Sequence, residues 1–128
     1  TGKRSHVDVF GTDFATPDGT GVRDYIHVSD LAAAHVLALE ALIADPERSL
    51  TMNCGYGHGY SVLEVLDTVD RLTNRTIERR LAPRREGDPD SLVSDPSLIR
   101  RTLPWVPQHD RLEEIVEHAL AWERSLAR

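Results

Sequence analysis

Among its 128 residues the sequence has a single cysteine, Cys54, and a single lysine, Lys3. The lone thiol excludes an intrachain disulfide and points to a reducing compartment, the cytoplasm. The lone lysine, with no tyrosine four positions before it, excludes a Schiff-base lysine or a Tyr-x-x-x-Lys proton-transfer pair downstream. Positive charge is also short. Fifteen basic residues against 21 acidic ones give a net charge of −6, with no basic stripe to meet nucleic acid or an anionic membrane. No apolar run approaches the ~18 residues of a membrane span, and "TGKRSHVDVF" has no signal-peptide core. The chain lacks an initiator methionine and opens almost directly into an apparent strand, as a piece of a longer protein would. Its length fits one domain by the prior of roughly 100–200 residues per domain, with a modest core.

What is present alternates between strand and helix signals, the pattern of an α/β fold. "VDVF" (7–10) reads as a short buried strand, followed by a Gly/Pro-rich loop over 11–24 in which Pro17-Asp18-Gly19 marks a turn. "YIHV" (25–28) reads as a second strand. Ser29 then caps a helix to about Ala44, ended by Asp45-Pro46. That helix is apolar almost all round and predicts packing on two sides. "LTMNC" (50–54) reads as a strand, and Ser61 to about Asn74 as a helix with Val62, Leu63, Val65, Leu66, Val69 and Leu72 on one face. "TIERRLA" (76–82) suits an edge strand and 83–90 a loop. Asp95-Pro96 opens a short helix, and a last helix runs over about 111–126 with Asp110 and Glu113 as a capping pair. Trp105 and Trp122 read as core.

"NCGYGHGYSVLEV" (53–65) has the look of a phosphate cradle. A dinucleotide fingerprint needs G-x-G-x-x-G. Here Gly55, Gly57 and Gly59 are each two apart, and Tyr60 stands where the third glycine belongs. Ser61 and Glu64 also form a capping box, which satisfies the first helical amides internally. The loop therefore reads as a connector.

Two arginine-bearing loops are better candidates. "DGTGVRDYIHV" sets Arg23 after a glycine-rich turn, and "PRREGD" gathers Arg84, Arg85, Glu86 and Asp88 between prolines. Two guanidinium forks bracketing a diphosphate need neither metal nor base readout. Asp88 would accept from a ribose diol. Ion pairs Arg23–Asp24 and Arg85–Glu86 are the plain alternative, and spacing leaves both readings open. The six histidines show no H-x-x-x-H spacing and no pairing with Cys54, so no metal site is expected; His35 on its apolar helix reads as a core or interface residue. No G-x-S-x-G elbow supports a serine triad.

The stretches "VFGTDFATPDGTGVRDYIHVSDLAAAHVLAL", "NCGYGHGYSVLEV", "APRREGD" and "LPWVPQHDRLEEIVEHALAWE" together resemble the C-terminal portion of the UDP-glucose 4-epimerase (UDP-galactose 4-epimerase) family. These are extended short-chain dehydrogenases of Rossmann type. The resemblance runs from about Val7 to Leu126 and covers roughly the last third of a family member. It implies that residues 1–128 are the C-terminal UDP-sugar-binding region, lacking most of the parallel sheet. By the resemblance, the backbone of Asp8, Val9 and Phe10 holds uracil, Arg23 and Arg85 grip the diphosphate, Asp88 binds the ribose and Leu92 lines the sugar pocket. It further implies NAD in the full-length parent, bound by an N-terminal part outside this chain, and a homodimeric parent in galactose metabolism. The family's G-x-x-G-x-x-G motif and Tyr-x-x-x-Lys pair are not in this sequence, so the chain is expected to be inactive alone. The family's Asn-Leu-Gly is Asn53-Cys54-Gly55 here, in what should be a returning strand. A related nucleotide-sugar enzyme (pentose epimerase, decarboxylase or dehydratase) and a non-catalytic interaction module are the alternatives.

Overall fold

The computed structural model describes residues 1–126. In chain order the elements are β1 (His6–Phe10), β2 (Val22–Arg23), α1 (Val28–Ala44), β3 (Tyr60–Ser61), α2 (Val62–Thr73), β4 (Glu78–Ala82), β5 (Ser91–Leu92), α3 (Ser97–Thr102) and α4 (Leu112–Ser125). The fold class is α/β, carried by two small sheets. β1 pairs in parallel with β4, from His6 opposite Glu78 to Phe10 opposite Ala82. In the second sheet β2 is central, antiparallel to β3 and parallel to β5, so Arg23 faces both Tyr60 and Leu92 across the ladder.

α2 follows its sequence signals closely. Ser61 Oγ accepts from the Glu64 amide at 3.0 Å while Glu64 returns the bond to the Ser61 amide, completing the capping box. Asn74 ends the helix in the left-handed region, φ 51°, a conformation asparagine tolerates. Its apolar face lies against α4, where Leu66, Leu112 and Val116 are buried, and Arg71 reaches Glu113 at 2.9 Å across the rim.

Other elements depart from expectation. Residues 25–28 form no separate strand, because the short strand falls earlier, at Val22–Arg23. The cap of α1 is His27 rather than Ser29: the imidazole Nδ1 accepts from the Ser29 amide at 3.0 Å. Residues 50–54 are irregular; Met52 and Cys54 instead pack onto the cluster of Ala34, Ile99, Leu103 and Trp105 that joins α1 to α3. Asp110 does not cap α4, because its carboxylate is engaged by His58 at 2.7 Å. Trp105 is core, with its indole N–H donating to the Asp30 carbonyl, whereas Trp122 is 65% exposed. α1 is covered on one flank only. Val28, Leu39 and Ile43 face solvent, because α3 and the Trp105 segment reach a single side of the helix. His35 is exposed and turns back on the Leu31 carbonyl. Among the described residues no helix is long and apolar enough to cross a membrane.

Candidate functional site

The glycine-rich loop is built around one carboxylate. Asp24, the residue after Arg23, accepts from the backbone amides of Tyr56 (3.1 Å), Gly57 (3.1 Å) and Ser94 (3.3 Å), and from the Ser94 hydroxyl at 2.6 Å. Burial works to raise its pKa, but the Ser94 hydroxyl and the three amides outweigh burial and hold the carboxyl below its ordinary 3.8. The approach is too close for any side chain at position 55. A Cβ on Gly55 would lie 2.1 Å from Ser94 Oγ and 2.5 Å from Asp24 Oδ2. Amides that a phosphate would need are thus already occupied, and the loop is a connector, as its capping box implied.

Because Asp24 is fixed on both sides, the adjoining β2 residue is fixed as well. β2 presents Arg23 to a cleft of about 340 Å³ lined by Asp8, Phe10, Phe14, Gly21, Arg23, Tyr25, Val62, Arg85 and Asp88. Two guanidinium groups meet there on one carboxylate. Arg23 Nη2 lies 3.5 Å from Asp88 Oδ1, and Arg85 Nε lies 2.9 Å from Asp88 Oδ2. The Arg85 guanidinium also stands 5.0 Å from the centre of the Phe10 ring, within cation–π range. The plain alternative pairs, Arg23 with Asp24 and Arg85 with Glu86, do not form. Arg84 is the member of its loop that does structural work: it pairs with Asp13 and Asp90 and covers Phe14 at 4.0 Å.

Five of the seven residues marked in the sequence therefore line one cleft: Asp8, Phe10, Arg23, Arg85 and Asp88. Val9 turns the other way, its side chain fully buried, as strand alternation requires. Leu92 is beside Arg23 in the ladder and 61% exposed, at the edge of the cleft rather than in its lining. Sequence reading missed Phe14, Tyr25 and Val62. Tyr25 had a signal, since it is the second residue after Arg23 and shares its face of an extended segment. Burial holds its hydroxyl above the ordinary range, offset in part by Arg23. A more apolar hollow of about 540 Å³ lies between residues 1–7 and the α2–α4 layer, lined by Val69, Ile77 and Leu120 among others. It lacks a comparable pair of converging arginines.

The histidines that spacing left scattered also come together. His27, His109 and His118 each bring one ring nitrogen within 4.8 Å of the others'.

The chain is similar in sequence and fold to known proteins. The profile of the NAD dependent epimerase/dehydratase family matches residues 2–55. A UDP-glucose 4-epimerase of Azospirillum brasilense is 55% identical over 98% of this chain and 36% of its own length. One from Corynebacterium glutamicum is 46% identical over 98% of this chain and 38% of its length. The chain thus spans about a third of the length of the curated relatives it matches. Among solved structures, a UDP-glucose 4-epimerase of Stenotrophomonas maltophila, with bound NAD and formylated UDP-arabinopyranose, superposes with a TM-score of 0.90 at 46% identity, covering 99% of this chain and 37% of that one. The enzyme of Bifidobacterium longum, in complex with NAD+ and UDP, gives 0.85 at 36% identity, covering 97% and 36%. In sequence and in fold the chain is therefore similar to about a third of the UDP-glucose 4-epimerases it matches.

Proposed function

We propose that the cleft between β1, β2 and the 83–90 loop binds the UDP part of a UDP-sugar, and that residues 1–128 are the C-terminal substrate-binding region of a NAD-dependent UDP-sugar 4-epimerase. The observation that carries this reading is the convergence of Arg23 and Arg85 on Asp88 beside Phe10. The carboxylate lies between two cations and offsets part of their mutual repulsion. A diphosphate brings more oxygens in a geometry that both forks match, and it releases Asp88 to accept from a ribose diol. The β1 backbone beside Asp8 and Phe10 then meets the base, and Leu92 at the cleft edge meets the sugar.

The residues present do not fit NAD. The glycine loop, which alone has the look of a dinucleotide cradle, gives the Tyr56 and Gly57 amides to Asp24 and packs Gly57 against Pro96. NAD would be held by parts of the whole protein outside these residues and would supply hydride-transfer chemistry there; this chain's share is to bind and orient the nucleotide. A homodimeric assembly and a cytoplasmic location belong to the same proposal for the whole protein.

Calorimetric titration with UDP and with uridine tests the reading. UDP should bind more tightly than uridine. Arg85→Ala should weaken UDP roughly tenfold and Arg23→Ala by up to about a hundredfold, the range set by one charge-assisted hydrogen bond at an exposed and at a half-buried position. Uridine should be indifferent to both changes. Equal affinity for UDP and uridine, or an unchanged UDP affinity in both variants, would reject the assignment. In the whole protein, turnover of UDP-galactose against UDP-arabinose distinguishes a hexose from a pentose enzyme.

A further inference from the structure

A second constellation lies away from the nucleotide cleft. His27 caps α1, His109 lies in the segment leading to α4, and His118 stands on α4. His27 and His109 ring centres are 4.4 Å apart, and those of His27 and His118 are 5.0 Å apart. His27 is buried, His109 half-buried and His118 exposed, so the cluster is rooted in the fold and open to solvent at one end. We propose that His27, His109 and His118 form a binding site for a late first-row divalent cation, Zn²⁺ being the reference ion.

Three features support the assignment. The first is donor chemistry: three neutral imidazoles suit Zn²⁺, Cu²⁺ and Ni²⁺, and are poor ligands for Mg²⁺ or Ca²⁺. The second is an outer partner already in place. His109 Nδ1 donates to Glu114 Oε1 at 2.6 Å, the carboxylate–histidine arrangement that fixes a ligating ring, and this leaves Nε2 with its lone pair free. The third is the His27–His118 contact, in which His27 Nε2 and His118 Nδ1 lie 2.8 Å apart and share one proton. Tetrahedral zinc with Zn–N bonds near 2.0–2.1 Å sets its nitrogens about 3.4 Å apart. An ion therefore enters by widening this pair by about half an ångström and drawing in His109.

The net proton count is unchanged on ligation, with solvent water as the carrier. In the metal-free form the Ser29 amide donates to His27 Nδ1, so the neutral ring carries its proton on Nε2 and donates it to His118. On ligation Nε2 gives that proton up to solvent water and Nδ1 takes one from water, so the ring stays neutral with its proton on Nδ1. Nε2 is freed for the ion, His118 Nδ1 turns from acceptor to ligand, and the cap bond from Ser29 is lost. A fourth position faces solvent beside His118 and takes water. Metal binding is thereby coupled to the first turn of α1.

Titration of the protein, dialysed against a chelator, with Zn²⁺, and with Co²⁺ as an absorbing probe, tests the site. One equivalent should bind with micromolar or tighter affinity, and the Ser29 amide resonance should shift as it does. His109→Ala and His118→Ala, both at partly or wholly exposed positions and so foldable, should each weaken Zn²⁺ at least tenfold. Glu114→Gln should weaken it by about tenfold, the lower end for an outer partner. His58→Ala, outside the cluster, should leave it unchanged. Absence of Zn²⁺ binding at millimolar concentration, or affinity unaltered in both histidine variants, would overturn the proposal.

Discussion

Two loops of this molecule carry the residues from which phosphate binding is usually argued, and they use them in opposite ways. The glycine-rich loop at 55–59 turns its amides inward onto Asp24 and closes over it. The 83–90 loop sends Arg85 outward over Phe10 and meets Arg23 across an open cleft. The lesson is that glycine spacing marks where backbone approaches something closely, without saying what. Here the approached group is a carboxylate of the same chain. The arginine loop leaves two cations resting on a single side chain, at the edge of an open cleft.

The comparison can be broken most severely at Asp24. Asp24→Ala leaves two amides of the glycine loop and the Ser94 amide without their acceptor, and should destabilise the fold by about 3 kcal/mol or more, at the upper range for hydrogen bonds to a charged group. Chemical denaturation reads this directly, and a loss below about 1 kcal/mol would show that the loop closes without the carboxylate. The same group sets an acid limit. Its folded-state pKa is depressed below 3.8, so its contribution is complete above the unfolded-state value and fades as pH falls through the lowered one. Stability curves of wild type and Asp24→Asn should therefore converge toward acid and separate by pH 6.

Next in size is Gly55→Ala, which sharpens the claim that close approach rather than ligand binding requires this glycine. Its methyl meets Ser94 and Asp24 well inside contact distance, and overpacking of this kind destabilises by about 1–3 kcal/mol. A variant as stable as the parent would place the loop farther from Asp24 than the structure does. The smallest effect is expected at the far end of the loop. Ser61→Ala removes the cap of α2 and should lower stability by about 1 kcal/mol, with UDP affinity unaltered once the protein is folded. A large loss of UDP binding in that folded variant would return the glycine loop to the site.

How much of this was legible beforehand differed by element. α2 could be read whole, because its box, its apolar face and its asparagine stop are all local to twelve residues and their neighbours. Spacing left Arg23, Arg85 and Asp88 open between a shared site and local ion pairs, and only the packing of two distant loops brings the three together. The placement of β2 was not legible: a strand of two residues exists only because β3 and β5 flank it. Nor was the capping role of His27, whose Nδ1 competes with the hydroxyl of Ser29 for a helix end and wins by position. Asp110 looked like a cap by spacing and was drawn off by His58, which lies 52 residues away.

By itself the sequence determined the α/β class and the capping box that opens α2. Those properties follow from side-chain chemistry and from interactions within a turn or two of backbone. Only the tertiary structure decided that the glycine loop serves Asp24, that both arginines reach one carboxylate, and that three histidines spread over 92 positions share one corner. Contacts of that range depend on how helices and strands pack in space, and no local spacing encodes the path by which the chain returns to meet itself.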